Sequence, residues 1–389
     1  VGAYYPGLIT YPLSNLDDLA AIGAPNIGNP DLTWEKAKMF QTGVDFEIGR
    51  YLTGSFEYYI KNTTDLIFDR RVGPSNGYGL ITVNDGELQN RGFEFDLTAH
   101  LLKNQDFFLD IGVNGEVFKN KLTKMPIEPS TGLPKILDPQ SPYGWSKGRS
   151  IYDFYLRDFV GVDSEDGRST WAVHFIDKNG DGVFDNSIDQ GIVSLSAFEN
   201  VNNDEILVGE TKVYQQATIK YINKSAIPKI RGAFNLAAGY KGLNFNAQFL
   251  YSLGGYAYDG AYANLMANGT IGSNNWHSDI LNRWQKAGDI TDVPRISNNQ
   301  DANVASASSR FLTKADYLAL NNVRLAYNFN QNFTRSFGFD GLSVWASGDN
   351  LYLTTKRKGF NPMVSEAGST SMYTYAPLST FSFGLRAKF

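Results

Sequence analysis

Phe381-Ser-Phe-Gly-Leu-Arg-Ala-Lys-Phe389 alternates without a break, with Phe381, Phe383, Leu385, Ala387 and Phe389 on one side and Ser382, Gly384, Arg386 and Lys388 on the other. Successive side chains of a strand point to opposite faces. The segment is therefore a strand with one wet face and one oily face. Stopping on an aromatic residue, it reads as the closing strand of an outer-membrane β-barrel. The same period of two recurs upstream. Phe56, Tyr58 and Ile60 oppose Ser55, Glu57 and Lys61; Phe93, Phe95, Leu97, Ala99 and Leu101 oppose Glu94, Asp96, Thr98 and His100. Leu243, Phe245, Ala247, Phe249 and Tyr251 oppose Asn244, Asn246, Gln248 and Ser252. Strands are expected at about 34–48, 54–68, 87–101, 106–120, 229–240, 243–253, 313–328, 340–353 and 377–389, in keeping with the ~9–11 residues of a tilted membrane strand.

The connections sort by length. Short turns are expected near Gly49 to Thr53, Leu102 to Gln105 and Lys241-Gly242, with a moderate one from Phe329 to Phe339. Long segments lie between them, at about 69–86, 121–228, 254–312 and 354–376. Membrane barrels carry short turns on the periplasmic side and long loops outside. The parity puts Phe389 on the periplasmic side and Val1 to Leu32 in an outer loop. Nine strands is an odd number, whereas single-chain bacterial barrels have an even one, and strand edges cannot face lipid. Earlier strands are thus expected before Val1, and the segment opening at Val1 has no charged n-region, apolar h-region or cleavage site of a signal peptide. The prolines Pro126, Pro129, Pro134, Pro139 and Pro142 argue against regular structure at the start of the 121–228 loop. Trp276, Ile280, Leu281 and Trp284 predict a short helix over Asn275 to Ala287.

Composition narrows the class. The 389 residues contain 35 basic and 40 acidic side chains, a net charge of -5, which leaves no basic stripe for a phosphate backbone and makes nucleic acid an unexpected partner. Cysteine is absent, so disulfides and thiolate chemistry are excluded. No window holds the ~20 consecutive apolar residues of a spanning helix. Tyr and Phe number 22 and 26, enough for the aromatic girdles at both interfaces of a barrel.

Several motifs, in order, resemble the SusC/RagA family of TonB-dependent outer-membrane transporters. They are Asn29-Pro-Asp-Leu-Thr-Trp-Glu-Lys36 followed by Gly43-Val-Asp-Phe46, then Tyr58-Tyr-Ile-Lys-Asn-Thr-Thr-Asp-Leu66, Asn90-Arg-Gly-Phe-Glu94 and Asp177-Lys-Asn-Gly-Asp-Gly182. Arg283-Trp284 with Pro294-Arg295, and Asp349-Asn-Leu-Tyr352, complete the set. The resemblance implies that residues 1–389 are the C-terminal part of a multi-pass barrel of about 22 strands in the outer membrane of a Gram-negative bacterium. The plug domain and the TonB-contacting region would lie outside this sequence. It further implies TonB-dependent import of oligosaccharides or peptides, a SusD-like surface lipoprotein as partner, and a TonB complex as power source. The alternatives are a non-transporting structural or assembly subunit of an outer-membrane complex, and a soluble secreted carbohydrate-binding β-protein. No enzyme is expected.

The most explicit chemical motif is a loop resembling an EF-hand. Asp177, Asn179, Asp181 and Asp185 occupy the first, third, fifth and ninth positions, Gly182 the sixth, and Val183 offers its carbonyl at the seventh. Ile188 stands where a bidentate Glu belongs, leaving Asp189 as the last carboxylate. A Ca²⁺ ion stapling an outer loop is the expectation, against an Asx-rich turn that bonds its own backbone. His100, His174 and His277 share no metal spacing and are expected to be lumen or loop polar residues. The carboxylate pairs Asp106 with Asp110 and Glu94 with Asp96 follow from a wet inner face. Trp145, Tyr152, Tyr155, Trp171, Tyr256, Tyr258, Tyr262, Trp276 and Tyr373 offer stacking faces in the outer segments, though most are expected to pack the loops. Phe389 resembles the terminal signal read by the barrel-assembly machinery.

Overall fold

The alternating runs become nine strands in the computed structural model: β1 (Lys36–Ile48), β2 (Leu52–Arg71), β3 (Leu80–Lys103), β4 (Phe107–Lys124), β5 (Ile230–Tyr240), β6 (Leu243–Leu253), β7 (Tyr317–Asn328), β8 (Gly341–Thr355) and β9 (Thr380–Lys388). The structure describes residues 13–16, 19–22, 28–71, 80–128, 131–199, 205–269, 271–272, 275–301, 303–365, 367–371, 373 and 375–389. Every strand lies beside its sequence neighbours, from β1 at one edge to β9 at the other. Among the described residues no helix is long and apolar enough to cross a membrane, which leaves crossing by strands open.

Register shows what the two faces are for. Leu385, Val344, Tyr327, Leu243, Tyr240 and Phe107 stand opposite one another across six strands, as do Phe383, Ala346, Leu325, Phe245, Ala238 and Leu109. A third row runs Phe381, Gly348, Val323, Ala247, Leu236, Ile111. These rows hold no charge, yet Phe383 is 79% exposed and Leu385 67%. Water would penalise that surface. The opposite face carries the row Thr380, Asp349, Asn322, Gln248, Asn235. Its side chains bond to one another, with Asn322 Nδ2 donating to Asp349 Oδ1 at 2.6 Å and Gln248 Nε2 to Asn235 Oδ1 at 3.0 Å. A one-residue slip would turn every apolar side chain over, so the two rows lock the register together.

That register steps once between β7 and β8, where Leu320 pairs with Tyr352 but Asn322 pairs with Asp349. Asn321 is extra on one strand, and Asn350 and Leu351 on the other. Asn350 takes φ of 53°, a left-handed conformation that Asn tolerates better than other side chains. The motif Asp349-Asn-Leu-Tyr352 is thus a bulge: Asp349 receives the Asn322 bond, and Asn350 Nδ2 donates to the Leu378 carbonyl at 3.3 Å.

Connections alternate as expected. β1–β2, β3–β4 and β5–β6 are joined by residues 49–51, 104–106 and 241–242, and β7–β8 by residues 329–340 with a short helix, Gln331–Arg335. In an antiparallel meander these share one end. Lys241 (φ 45°) and Gly242 (φ 92°) both have positive φ, as in the mirror-image turn that matches strand twist. A Cβ on Gly242 would lie 2.5 Å from the Asn328 carbonyl oxygen. The first long segment is shorter than the expected 69–86, because β2 and β3 run further and leave 72–79, outside the described residues. Most of Val1 to Leu32 also lies outside them; within it, Leu13–Leu16 pairs antiparallel with Leu19–Ile22.

The chain divides into two compact units: Val1–Gln41, Tyr59–Arg91 and Lys119–Ile151, and Thr42–Tyr58, Gly92–Phe118 and Tyr152–Phe389. In the first, Phe68, Leu122 and Met125 are buried, with Trp145 edge-on to Phe68 at 5.5 Å. Here the prolines do not suppress regular structure. Pro134 ends a two-residue strand paired with Ile127–Glu128, and Pro139 lies inside Asp138–Gln140, paired with Tyr143–Trp145. Strands this short lose at most one ladder donor to a proline.

The second unit holds a stretch of all nine strands and the bodies of two long connections. Ser169–Ile176 pairs with Phe159–Val162, Gln190–Ile192 and Leu207–Thr211, burying Val173 and Phe175 completely. The segment 254–316 folds around Ala263, Met266, Ile280, Val293 and Phe311. The helix expected over Asn275 to Ala287 is reduced to a 3-10 turn, Ser278–Asn282. Arg283 is extended (ψ 154°), which frees Trp284 to cover Gly167 instead of continuing the helix.

Candidate functional site

The polar face of the wall and the long connections beyond it are where a solute would meet this protein. On the wall, Glu57, Glu94, Asp96, Glu116, Arg231 and Tyr317 line a cavity of about 620 Å³ with Asn114, Gln248 and Tyr251. Arg231 is ion-paired with Glu116, its register partner on β4. Tyr251 turns its hydroxyl to the Asn114 carbonyl at 3.0 Å. Nearer the short turns, His100 Nδ1 lies 2.8 Å from Asp110 Oδ1, and Nε2 lies 3.3 Å from Thr53 Oγ1, tying β2, β3 and β4. Glu94, Asp96 and His100 therefore share the polar face, with Asp110 bonded to His100, while Asp106 sits in the 104–106 turn and its backbone carbonyl accepts from Lys241 N.

The motifs read in sequence turn out to be fasteners. Asn84 accepts from Thr33 N at 2.8 Å and donates to the carbonyls of Thr33 and Asp65, while Glu35 accepts from Ile67 N and Lys36 pairs with Asp65 at 2.8 Å. The Asn29-to-Lys36 stretch is thereby bound to β2 and β3 before β1 begins. Asn90 accepts from Asn120 Nδ2 at 2.6 Å, and Asn120 Oδ1 receives Ser150 Oγ and Ile151 N. Trp284 Nε1 donates to the Ser164 carbonyl and Arg295 Nη1 to the Asp166 carbonyl, while Arg295 Nε meets Asp301 at 2.8 Å. Asn84 and Asn120 carried no sequence signal beyond an asparagine inside a strand.

Two further knots tie the connections. Asp259, almost fully buried, caps the Gly260–Leu265 helix through Tyr262 N, accepts from Thr370 Oγ1, and is ion-paired with Arg357. The Arg357 guanidinium lies 3.6 Å from the Tyr262 ring centre. Burial pushes Tyr262 up, helped by its hydrogen bond to Asp279, and pushes the Arg310 guanidinium down to about 10. Lys212 joins Asp163 at 2.6 Å and Asp166 at 3.0 Å, and that hydrogen bond from Lys212 holds Asp163 below the usual carboxylate range.

The loop carrying Asp177, Asn179, Asp181, Val183, Asp185 and Asp189 joins Ser169–Ile176 to Gln190–Ile192, with strands rather than helices on either side. Asp177 accepts from the amides of Asn179, Gly180 and Gly182, and the Gly182 bond first among these lowers its pKa. Asp181 accepts from Val183 N, Asp185 from Ser187, and Asp189 from the amides of Lys178 and Asp185. Among the described residues no three His, Asp or Glu side chains gather in a metal-holding group. His277 caps the Ser278–Asn282 turn, and His174 is buried in the middle of its sheet.

Of the stacking candidates, Tyr155 and Trp171 are buried, Trp145 donates to the Ile151 carbonyl, Trp276 packs on the Met266 core, and Lys224 covers Tyr256. Tyr258 meets Phe311 edge-on, and burial lifts its hydroxyl to about 12. Tyr373 alone among those named is strongly exposed.

A family model described as "TonB dependent receptor-like, beta-barrel" matches residues 10–135. TonB-dependent receptor P3 of Formosa agariphila is 26% identical over 381 residues, covering 94% of this chain and 35% of that protein. TonB-dependent receptor SusC of Bacteroides thetaiotaomicron is 25% identical over 393 residues, covering 97% of this chain and 34% of SusC. The chain thus resembles part of a SusC-like TonB-dependent receptor. Its fold matches a chain in the structure of the RagAB peptide transporter with a TM-score of 0.75, over 99% of this chain and 39% of that one, at 24% identity. The "open-open" state of the RagAB peptide importer gives 0.73. The receptor segment spans about a third of the length of the curated relatives it matches. Its nine strands match β-barrel wall in fold, with three apolar rows on one face and the polar row on the other.

Proposed function

We propose that the complete receptor resides in the outer membrane and imports oligosaccharides or peptides across it, powered by a TonB complex through a region outside this sequence. A SusD-like surface lipoprotein is its partner over the extracellular connections. The observation that carries this reading is the match in order to SusC along nearly the whole segment, coupled to a wall with one polar face where amides alternate with charged side chains. Such a face wets a path for a polar solute. Uptake of labelled oligosaccharides and oligopeptides, in cells with the receptor gene intact or deleted and with or without a proton gradient, tests it. Gradient-dependent uptake lost on deletion is the expected result. Equal uptake in both strains sinks the proposal.

Two site proposals accompany it. The 177–189 loop is a Ca²⁺ staple whose amide bonds to Asp177 pre-shape the turn, with Asp177, Asn179, Asp181, Asp185, Asp189 and the Val183 carbonyl as oxygen donors. Phe389, 5.2 Å from the Phe339 ring, is a recognition residue for the barrel-assembly machinery. Replacing Phe389 by Ala should lower the amount of assembled barrel and leave uptake per inserted molecule unchanged.

A further inference from the structure

The lipid face of β8 climbs from Val344 through Ala346 and Gly348 to Tyr352 and Thr354, which pair with Leu320 and Leu318 beyond the bulge. Val344 to Tyr352 is about 26 Å of strand at ~3.3 Å per residue, or roughly 20 Å of membrane depth at the usual tilt, close to the ~25 Å apolar band of such barrels. Tyr352, 64% exposed, therefore stands at the outer boundary, where aromatic side chains collect. Tyr375 and Leu378, on the approach to β9, are strongly exposed as well. Immediately above come Lys356 and Lys358, exposed and without an ion-pair partner among the described residues. Arg357 between them is held by Asp259 and Tyr262.

Lys358 lines a cavity of about 420 Å³ with Tyr352, Thr354, Arg357, Asn361 and Pro377 among others, and no carboxylate lines it; Lys356 is two residues away in sequence. Two cations without an ion-pair partner, one lining and one next to a carboxylate-free, amide- and hydroxyl-bearing groove at membrane-surface depth, call for an anion carried on a lipid. We propose that the groove holds the headgroup of a phosphorylated outer-leaflet glycolipid, with the phosphate on Lys356 and Lys358 and a sugar ring against Tyr352, Thr354 and Asn361. This rests on the reading that the receptor lies in the outer membrane.

Full-length receptor in zwitterionic detergent would be titrated with a bisphosphorylated acylated disaccharide, with its dephosphorylated form, and with inorganic phosphate. The phosphorylated lipid should bind roughly 30-fold tighter than the dephosphorylated one, a factor of about five for each lysine. A Lys356→Gln/Lys358→Gln variant should lose that preference while keeping the heat-dependent gel shift of a folded barrel. Equal binding of the two lipids, or an unchanged preference in the variant, overturns the proposal. Competition by millimolar inorganic phosphate overturns it in favour of a free-anion site. A wild-type protein with no gel shift would instead refute the membrane-barrel reading itself.

Discussion

Trp284 Nε1 donates to the Ser164 carbonyl at 3.0 Å, joining residues 120 positions apart, and its ring covers Gly167 so closely that a Cβ there would lie 2.4 Å from the indole. Gly167 has φ of 73°, so the turn and the ring require the same residue. Trp284→Ala should weaken the body formed by the two connections by about 2–4 kcal/mol. Gly167→Ala should do comparable harm through strain and clash. Limited proteolysis of the intact receptor should show new cuts near 163–168 and 285–295 in both variants. Wild-type protection in either would refute the lock.

The bulge at Asn350 gives a sharper test, because only the backbone conformation is at stake. Asn350→Gly should leave stability within about 0.5 kcal/mol. Asn350→Val, β-branched at positive φ, should cost about 1–2 kcal/mol. Urea midpoints of the folded barrel, read by the heat-dependent gel shift, would separate them. Equal midpoints would mean that the conformation is not what the motif preserves.

The two faces of the wall predict opposite responses to charge. Leu325 lies in the row with Phe383, Ala346 and Phe245, so Leu325→Arg near mid-depth should cost about 2–4 kcal/mol. Ser382→Lys, in the adjoining row beside Ser347 on the lumen face, should be close to neutral. Urea unfolding in lipid vesicles measures both. A reversed order would assign the faces the other way round.

His174 carries a pH dependence. Burial first, and the charge of Lys220 second, lower its pKa from the ordinary 6.5, and Nδ1 finds no partner among the described residues. The folded state thus prefers the neutral ring. Stability is full above the unfolded value and is lost as pH falls below about 6.5 towards the folded value. The melting temperature of the receptor should drop between pH 7.5 and 5.5. His174→Gln should flatten that drop, and an unchanged slope in the variant would discard the assignment.

If Ca²⁺ staples the 177–189 loop, excess chelator should lower the melting temperature and expose the loop to protease, and added Ca²⁺ should restore both. Asp177→Asn should behave like the chelated protein and ignore added Ca²⁺. Identical melting with and without chelator would leave only the self-bonded turn.

The wall was legible because one face of each strand is apolar and the other polar, so period two survives in single strands such as 381–389 and 243–253. Connection lengths and the Lys241-Gly242 turn were readable for the same local reason. The Trp276-to-Trp284 spacing misled, because a tertiary partner, Gly167, outbid the helix for Trp284. Proline punctuation misled in 121–151 because two- and three-residue strands tolerate it. The asparagine fasteners at Asn84 and Asn120 were invisible, since their partners are backbone atoms and polar side chains remote in sequence. Lone polar residues announce no such geometry.

The clasp of Trp284 and Arg295 on the Ser164–Gly167 reversal has a practical result under proteolysis. A protease that severs one of the two braced segments leaves its ends held by the other. A nicked receptor should therefore travel as one particle on a native gel and come apart only after boiling, so digestion from outside need not disarm it.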